Sequence, residues 1–441
     1  MGLKESVLER IGKENVQVIH FQFTDIDGTI KSVMKPAAEL KTAIKKAIWF
    51  DGSSIQGIFR IQESDARLSP DLSTFTVVPW SEEKRREARI ICHVCLPTKG
   101  RAKHFEGDPR YILMEGEAEA RKLGFIYNVG LEIEFYIFKG EKNSEELTPY
   151  DSAEYFDYSD DRAIAIKKEI IHCMQEIGII VESVTHEVGR GQNEVDMCYD
   201  TALKTADNVV ALKSTIQAIV PKFNAFATFM PKPREGKPGN GMHAHQSLFD
   251  AAGNNVFYDS SDKYGLSKIA YQFIAGQLEH ARALCAIVAP TVNSYKRLVS
   301  GYEAPINICW ARKNRSALIR IPAVADKNST RAELRCPDPS ANPYLALRAM
   351  LAAGLDGIKR KLEYPEPIEE NVSHLSEGEY KRRQIGVLPG SLIEAIEELK
   401  KDKALMEALG PHLSREFIRA KTEEWNKLRT EVTPKELEMY L

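Results

Sequence analysis

The clearest pattern in the chain is the alternation of apolar and polar residues from Gly130 to Phe138. Successive side chains of a β-strand point to opposite faces, so a strand here would have one apolar face: Leu131, Ile133, Phe135 and Ile137. Glu132 and Glu134 would share the other face. The segment predicts a strand with two carboxylates pointing the same way; a half-exposed strand with solvated glutamates is the alternative.

The first hundred residues have the pattern of a small α+β unit. Its predicted elements are helices over residues 3–13 and 36–46 and strands over Val16 to Phe23, Thr74 to Trp80 and Ala88 to Leu96. Asp27-Gly28 is a hairpin turn signal, because glycine tolerates the positive φ that such turns need. The pattern breaks at residues 97–101, where we place the boundary between an N-terminal domain, residues 1–100, and a second domain, residues 101–441.

The second domain alternates helical stretches with strand-like runs. Asp108-Pro109 favours the start of a helix over residues 109–123, because aspartate caps free amides and proline fits the first turn. The other predicted helices cover residues 160–177, 202–219, 264–288, 342–362, 391–402 and 413–430.

Three polar segments accompany the Glu132 strand. The glycine-interrupted loop between Glu187 and Glu194 can turn both glutamates toward one point, or it can be a polar surface turn. Gly241 to Leu248 would place two histidines and a serine on one strand face, although structural histidines have the same pattern. Arg331 to Arg335 would place a glutamate between two arginines, which is also the pattern of a surface ion-pair ladder.

Together these segments offer ligands for divalent cations: Glu132, Glu134, Glu187, Glu194, His243 and Glu333. Carboxylates with one imidazole suit Mg²⁺ or Mn²⁺ better than Zn²⁺, which favours more cysteine and histidine. The sequence has neither a P-loop nor a convincing dinucleotide-binding motif, so metals and arginines would hold phosphate instead. The candidate arginines are Arg297, Arg312, Arg315, Arg320, Arg331 and Arg335. The pattern indicates metal-assisted phosphate chemistry.

Composition narrows the class of protein. The 441 residues are 43% apolar and 28% charged, with a net charge of -3, which is typical of soluble globular proteins and argues against nucleic-acid binding. The N-terminus has no apolar signal core and no long apolar run occurs, so we expect a cytoplasmic protein without a membrane partner. Seven irregularly spaced cysteines predict reduced thiols, with Cys92 and Cys95 buried in a strand.

At these motifs the chain resembles the glutamine synthetases of the bacterial and archaeal type I class over nearly its full length. The stretches that carry the resemblance are 50–57, 130–138, 187–194, 241–245, 293–305, 314–322 and 333–339. The resemblance implies an α+β fold with a small N-terminal β-grasp-like domain and a large catalytic domain of antiparallel strands flanked by helices. It also implies a homo-oligomer, a dodecamer of two hexameric rings, with active sites between subunits.

The resemblance implies a reaction in which ATP activates L-glutamate as γ-glutamyl phosphate and ammonia displaces the phosphate. One Mg²⁺ or Mn²⁺ would be held by Glu134, Glu187 and Glu194, and a second by Glu132, His243 and Glu333. The ATP site would comprise Glu182, Tyr199, His245, Ser247, Arg315, Arg320 and Arg331. Glutamate would be held by Ser54, Glu134, Gly239, Arg297, Glu303 and Arg335.

The resemblance implies three catalytic residues. Arg315 would assist phosphoryl transfer, and two carboxylates would bind ammonium and remove protons. Asp51, from a neighbouring subunit, would bind ammonium and favour loss of its proton. Glu303, on a flap at residues 301–303, would exclude water and take a proton from the adduct. A capping or turn aspartate is the alternative for Asp51.

The chain departs from the type I pattern at two places. Pro238-Gly239-Asn240-Gly241 replaces the usual Asn-Gly-Ser-Gly, and residues 371–375 lack the tyrosine that is adenylylated in regulated members. Arg60 matches an arginine used for glutamine feedback in the class without that tyrosine. The rival functions are a γ-glutamyl-amine ligase acting on a polyamine, a catalytically dead nitrogen-sensing relative, and a guanidino kinase.

Overall fold

The computed structural model describes residues 2–53, 55, 57, 65–97, 103–142, 146–158, 160–299, 304–323, 326–370, 372, 375, 377–383 and 385–441. Three predicted functional residues, Ser54, Arg60 and Glu303, lie outside the described residues. Most of the predicted domain boundary at residues 97–101 also lies outside them, so its position stays a prediction.

The described residues of the N-terminal part form a sheet and two α-helices. Its strands are β1 Val16–Thr24, β2 Ile30–Pro36, β3 Ile48–Asp51, β4 Asp65–Pro70, β5 Thr76–Val77, β6 Arg86–Leu96 and β7 Lys103–His104, and its helices are α1 Leu3–Lys13 and α2 Leu40–Lys46. The main strand order is β2-β1-β6-β4-β3, with β1 parallel to β6. Alternate residues Ile19, Phe21 and Phe23 of β1 are buried, which confirms the predicted strand. Gly28, in the predicted turn, has a φ of 78°.

The larger part of the chain is built on a second sheet, which has ten strands among the described residues. Its strands are β8 Ile126–Lys139, β9 Val181–His186, β10 Gln192–Met197, β11 Asp200–Thr201, β12 Ala225–Thr228, β13 Met242–Phe249, β14 Asn307–Ala311, β15 Ala317–Arg320, β16 Ala332–Leu334 and β17 Gly386–Val387. The order is β17-β14-β15-β16-β13-β8-β10-β9, and β11 and β12 also pair with β8. All these pairs are antiparallel except β14 with β15. The long strand β8 thus pairs directly with four other strands: β10, β11, β12 and β13.

Helices cover this sheet and complete the large core. They are α3 Pro109–Lys122, α4 Asp161–Glu176, α5 Ala202–Ile219, α6 Lys268–Glu279, α7 Ala281–Val288, α8 Ser294–Arg297, α9 Pro343–Arg360, α10 Glu377–Arg382, α11 Leu392–Lys401, α12 Lys403–Leu428 and α13 Pro434–Tyr440. The four apolar residues predicted on one face of β8 are all buried in this core. The α+β fold class, with a small N-terminal sheet and a larger sheet flanked by helices, is therefore confirmed.

Four predicted elements differ from the structure. The expected helix over residues 36–46 is a short 3-10 turn, Ala37–Glu39, followed by α2 Leu40–Lys46. The expected strand over residues 74–80 is limited to Thr76–Val77, after a short 3-10 turn. The expected helix over residues 264–288 is two helices that meet at His280. The last predicted helix begins earlier, at Lys403, and is kinked at Gly410, before Pro411. The kink follows from the missing amide hydrogen and the ring of proline.

The predicted burial of the thiols is confirmed. Cys92 and Cys95 are buried in β6, and burial raises the pKa of Cys95 to about 11. Within the part of the chain that the structure describes, no helix has the length and hydrophobicity of a membrane span. The cytoplasmic location stays a prediction.

A buried histidine links three helices at the α6–α7 junction. His280 Nε2 lies 2.9 Å from Asp356 Oδ2, and His280 Nδ1 lies 2.6 Å from Asp402 Oδ2. Since both ring nitrogens face carboxylates, both carry protons and the ring is an imidazolium. Burial lowers the pKa of His280, but the hydrogen bonds to Asp402 and Asp356 outweigh it and raise the pKa above its ordinary value.

The charge on His280 gives a prediction for stability against pH. A group with a raised folded pKa stabilises fully below its unfolded pKa, about 6.5 for histidine, and loses that contribution as pH rises through the folded pKa. His280→Asn should therefore reduce the free energy of unfolding by about 2 kcal/mol at mildly acidic pH and by less at alkaline pH. Denaturant unfolding across pH measures this, with exposed His172→Asn as the control; a loss independent of pH would contradict it.

Candidate active site

The six predicted metal ligands lie together on the polar face of the second sheet. Glu132 pairs with His243 across β8 and β13, and Glu134 pairs with Glu194 across β8 and β10. Glu333 comes from β16, and Glu187 follows the end of β9. All six line one cavity of about 610 Å³. Strand pairing brings the separate acidic segments together, and the two-residue period places Glu132, Glu134, Glu194 and His243 on one face of the sheet.

Glu132 is held between two histidines. Its Oε2 lies 2.9 Å from His243 Nδ1, and its Oε1 lies 2.6 Å from His245 Nε2. Arg331 Nε donates to His245 Nδ1 over 3.1 Å, so the neutral His245 ring carries its proton on Nε2 and donates it to Glu132. Burial alone would raise the pKa of Glu132, but the hydrogen bonds with His243 and His245 hold it well below its usual range. Glu132 is ionised at neutral pH.

Glu333 is almost fully buried and is also ionised. Arg320 Nη1 donates to its Oε2 over 2.9 Å, and Arg335 Nη1 donates to its Oε1. Burial raises the pKa of Glu333, but the charges of His243 and Arg335 outweigh it and lower that pKa. The surface ladder considered from the sequence is wrong in two respects: Arg320, and not Arg331, is the second arginine on Glu333, and the group lines the cavity.

Glu187 and Glu194 lie where negative charge is compensated only in part, by Arg315 near Glu187. Burial, followed by the charge of Glu134, raises the pKa of Glu187 to about 7 and that of Glu194 to about 10. A bound cation would reverse this penalty, because opposite charge favours the ionised carboxylates. The oxygen-rich donor set and its electrostatics therefore fit hard divalent cations.

The closest groups of ligand atoms among the described residues differ from the predicted triads. Glu132 forms one group with Glu194 and His243 and another with His245 and Glu333, and in each the ligand atoms lie within 4.8 Å of one another. The predicted division, Glu134 with Glu187 and Glu194 and Glu132 with His243 and Glu333, stays a prediction.

Arginines form another wall of the same cavity. Arg297 is buried, and its Nη1 and Nη2 donate to the backbone oxygens of Cys336 and Arg335 over 2.9 and 3.1 Å. A Cβ atom at Gly241 would lie 2.6 Å from Arg297 Nη2 and 3.0 Å from His243 Nε2, so a larger residue here would displace these two side chains. The predicted substrate and phosphate residues Gly239, Arg315, Arg320 and Arg335 also line the cavity. Such guanidinium groups match carboxylate and phosphate geometry.

Arg312, one of the candidate arginines, does not line this cavity. Its guanidinium carbon lies 5.8 Å from the centre of the Tyr264 ring, and the cavity contains no part of Arg312.

A second cavity of about 280 Å³ adjoins the first. It is lined by those predicted ATP-site residues that do not line the first cavity. These residues are Glu182, Tyr199, His245, Ser247 and Arg331. Tyr199 is 52% exposed, so a face of its ring is accessible to a planar ligand. Glu132 lines both cavities and is the point at which they meet.

Asp51, a predicted catalytic residue, belongs to the described part of the chain but lines neither cavity. It ends β3 of the N-terminal sheet and is exposed, and its Oδ1 accepts hydrogen bonds from Ser53 N and Oγ over 2.9 and 2.7 Å. The hydrogen bonds from Ser53 lower the pKa of Asp51. Within one chain this is the geometry of the turn aspartate considered as the alternative, and the role of Asp51 at the site of a neighbouring subunit stays a prediction.

Sequence reasoning missed several residues that line the cavities. Tyr155, Gln192 and Lys232 line the first cavity, and Asp196 lines the second. Asp196 continues the alternation of Gln192 and Glu194 along β10, so the strand period could have identified it. No comparable signal marks Tyr155 or Lys232.

Comparisons with known proteins agree with this arrangement. The family described as "Glutamine synthetase, beta-Grasp domain" matches residues 15–97, and that described as "Glutamine synthetase, catalytic domain" matches residues 106–440. Glutamine synthetase of Methanocaldococcus jannaschii is 47% identical over 448 residues, covering 99% of this chain and 98% of the relative. That of Thermotoga maritima is 46% identical over 439 residues, covering 99% of both chains.

A solved structure of a GmaS/ADP complex, in its conformation 1, is similar in three dimensions. Its TM-score is 0.88 at 29% sequence identity, and the alignment covers 98% of this chain and 99% of the solved one.

Proposed function

This chain belongs to the glutamine synthetase family, and we propose that it ligates ammonia to the γ-carboxyl of L-glutamate, converting ATP to ADP and phosphate. The observation that carries the proposal is the pair of cavities joined at Glu132, one lined by arginines and acidic residues and the other by Tyr199 and Ser247. This arrangement suits transfer of a phosphoryl group from a nucleotide to a carboxylate.

The acidic cluster would hold Mg²⁺ or Mn²⁺, two or more per site, through the six predicted ligands: Glu132, Glu134, Glu187, Glu194, His243 and Glu333. Bound cations would supply positive charge beside the phosphate groups during transfer. Arg315 and Arg320 would add fixed donors on the same wall. The neighbour solved with ADP supports a nucleotide in this fold.

Glutamate would be positioned by charge. Arg297 and Arg335 would bind its carboxylates, while Gly239 and Glu134 would accept hydrogen bonds from its amino group. A carboxylate is a poor acyl donor because oxide would have to leave, so phosphorylation to γ-glutamyl phosphate supplies a better leaving group. The donors on the arginine wall are fixed before reaction, which is the condition for stabilising charge in transfer.

Ammonia would reach the acyl phosphate with help from a neighbouring subunit. The ionised carboxylate of Asp51, held by Ser53, would bind ammonium and favour release of its proton. Glu303, which lies outside the described residues, would take a proton from the adduct. A shared site of this kind supports a homo-oligomer, for which we propose a type I dodecamer without adenylylation.

An assay of phosphate release from ATP and L-glutamate tests the proposal. Wild-type protein with Mg²⁺ or Mn²⁺ should turn over with ammonium and poorly with putrescine or ethylamine. Turnover with the amines but not ammonium would instead identify a γ-glutamyl-amine ligase. Binding of glutamate without any turnover would identify a nitrogen-sensing relative.

Subunit mixing gives a separate prediction for the shared site. Asp51→Ala and Glu132→Gln chains should each be inactive alone, but a mixture unfolded and reassembled at equal amounts should regain about a quarter of wild-type activity. That fraction follows because about one site in four would combine both intact halves.

The matched control mixes Glu132→Gln with Arg335→Ala. Both residues lie on the same half of the proposed site, so every site in that mixture has at least one defect and no activity should return. Restoration in this control, or none in the first mixture, would contradict a site shared through Asp51.

A further inference from the structure

Two buried amide side chains, Gln192 in the lining of the first cavity and Asn240 next to it, belong to none of the predicted roles. Gln192 is 1% exposed and Asn240 is fully buried. Gln192 Nε2 lies 3.2 Å from Asn240 Oδ1, and Asn240 Nδ2 donates to Met230 O over 2.8 Å. Gly189 N donates to Gln192 Oε1 over 3.0 Å. These backbone partners fix which end of each amide is the donor.

The same Gln192 amide group holds two acceptors of the cavity side by side. Its Nε2 donates to Gly239 O over 3.0 Å and to Glu134 Oε2 over 3.1 Å. Gly241 N donates to Glu134 Oε2 as well, over 2.8 Å. Because both donors meet Oε2, they leave Glu134 Oε1 available to a ligand of the cavity. Gln192 therefore sets the distance between a carbonyl and a carboxylate.

These acceptors lie directly beside the arginine wall. A Cβ atom at Gly239 would lie 2.9 Å from Arg297 Cγ, so the backbone here is in contact with the Arg297 side chain. Two hydrogen-bond acceptors next to a guanidinium form a complementary surface for an ammonium next to a carboxylate. That pair of charges is what an α-amino acid presents at its α-carbon.

The departure from the type I sequence pattern, at residues 238–241, lies within this hydrogen-bond network. Where the type I pattern has asparagine followed by Gly-Ser-Gly, this chain has Pro238, whose carbonyl accepts from Tyr136 over 2.9 Å and which has no side-chain donor or acceptor. Asparagine at position 240, in place of serine, is long enough to reach from Met230 O to Gln192. The buried amides thus reinforce the backbone at a position where the usual polar side chain is missing.

We infer that Gln192 and Asn240 are positioning residues for recognition of the substrate's α-ammonium group, acting through Gly239 O and the carboxylate of Glu134. This inference rests on the proposed function for the identity of the substrate. The Nε2 group of Gln192 donates to Gly239 O and Glu134 Oε2, so Gln192 acts by fixing these two groups, and Asn240 acts by holding Gln192. At metal sites, altering the partners that orient a ligand commonly costs about 10- to 100-fold in affinity or activity, and we expect a similar factor for the groups held here.

The test replaces the donor amide with an isosteric acid. Gln192→Glu removes the Nε2 donor and places an oxygen against Glu134 Oε2, so KM for L-glutamate should rise about tenfold or more. KM for ATP should change by less than about twofold, because the second cavity is not part of the network. Inhibition by glutarate, which lacks the amino group, should be unchanged. Asn240→Ala should raise KM for glutamate in the same direction by a smaller factor.

The matched control is Asn193→Asp, the same chemical change at the next residue of β10. Asn193 is also buried, but its Nδ2 donates to Gly191 O and takes no part in the network. An unchanged KM for glutamate in Gln192→Glu, or an equal rise in the control, would overturn the inference. Calorimetric binding of L-glutamate to each variant gives the same comparison without turnover, so failure of the proposed ligase activity would be recognised separately.

Discussion

Glu132→Gln is expected to lose at least about a thousandfold of ammonium-dependent turnover while the protein keeps its fold. Glu132 lines both cavities, and its two oxygens face His243 and His245. The amide has the size of the carboxylate but no charge, so it cannot neutralise a cation or an imidazolium there. The loss is largest at this position because one substitution affects both the nucleotide side and the acidic side of the site.

Two measurements distinguish this from a folding defect. kcat/KM for ATP and glutamate should fall, and calorimetric titration with Mn²⁺ should show weaker binding, while the thermal unfolding temperature stays close to wild type. Glu176→Gln, the same change at an exposed glutamate of α4, is the control and should be fully active. A Glu132→Gln enzyme with more than about a tenth of wild-type activity would rule out the central role.

The strand period explains why the acidic residues could be predicted from sequence. Alternation along β8 fixed which face Glu132 and Glu134 occupy before any partner strand was known, and the apolar face is buried as expected. Alternation does not fix which strands are neighbours or how they are offset. The contact of Glu132 with both His243 and His245 depends on that register, so it emerged only from the structure.

The buried amides of Gln192 and Asn240 could not be predicted from sequence patterns, for a different reason. Gln192 and Asn240 are polar residues in segments that read as loops, and their burial depends on strands and turns far apart in sequence. The split of the predicted 264–288 helix is similar, because the chain turns at His280 without a glycine or proline, and the partners of His280 come from distant helices. Tertiary contacts decided these features, not local propensity.

Arg110→Met is expected to lower the free energy of unfolding by about 3 to 5 kcal/mol. Arg110 is 4% exposed and makes a bidentate pair with Asp207, at 2.9 and 2.8 Å. Its Nη2 also donates to Asp71 over 2.9 Å, and its Nη1 lies 2.8 Å from His93 Nε2. Removing the guanidinium would leave the buried carboxylate of Asp207 with only the hydroxyl of Tyr344, 2.7 Å away, as a described hydrogen-bond donor.

Urea unfolding at one fixed protein concentration measures the loss. Arg121→Met is the control on the same helix: its guanidinium is exposed, and its buried partner Glu117 keeps a hydrogen bond from Leu203 N, so the loss should be smaller, about 1 to 2 kcal/mol. The double variant Arg110→Met/Asp207→Leu should regain part of the stability, since removing a whole buried pair is far less costly than leaving one charge unpaired. Equal losses in Arg110→Met and Arg121→Met would show that the pair contributes little.

The position of this cluster gives the prediction a consequence for function. Arg110 and Asp207 lie on α3 and α5 of the catalytic part, whereas Asp71 and His93 belong to the N-terminal sheet that carries Asp51. The same ion pairs that stabilise the chain therefore fix the N-terminal sheet against the catalytic helices. If Asp51 serves the site of a neighbouring subunit, Arg110→Met should raise KM for ammonium even at temperatures where the variant stays folded. An unchanged KM for ammonium in the folded variant would show that Asp51 is positioned by contacts other than these.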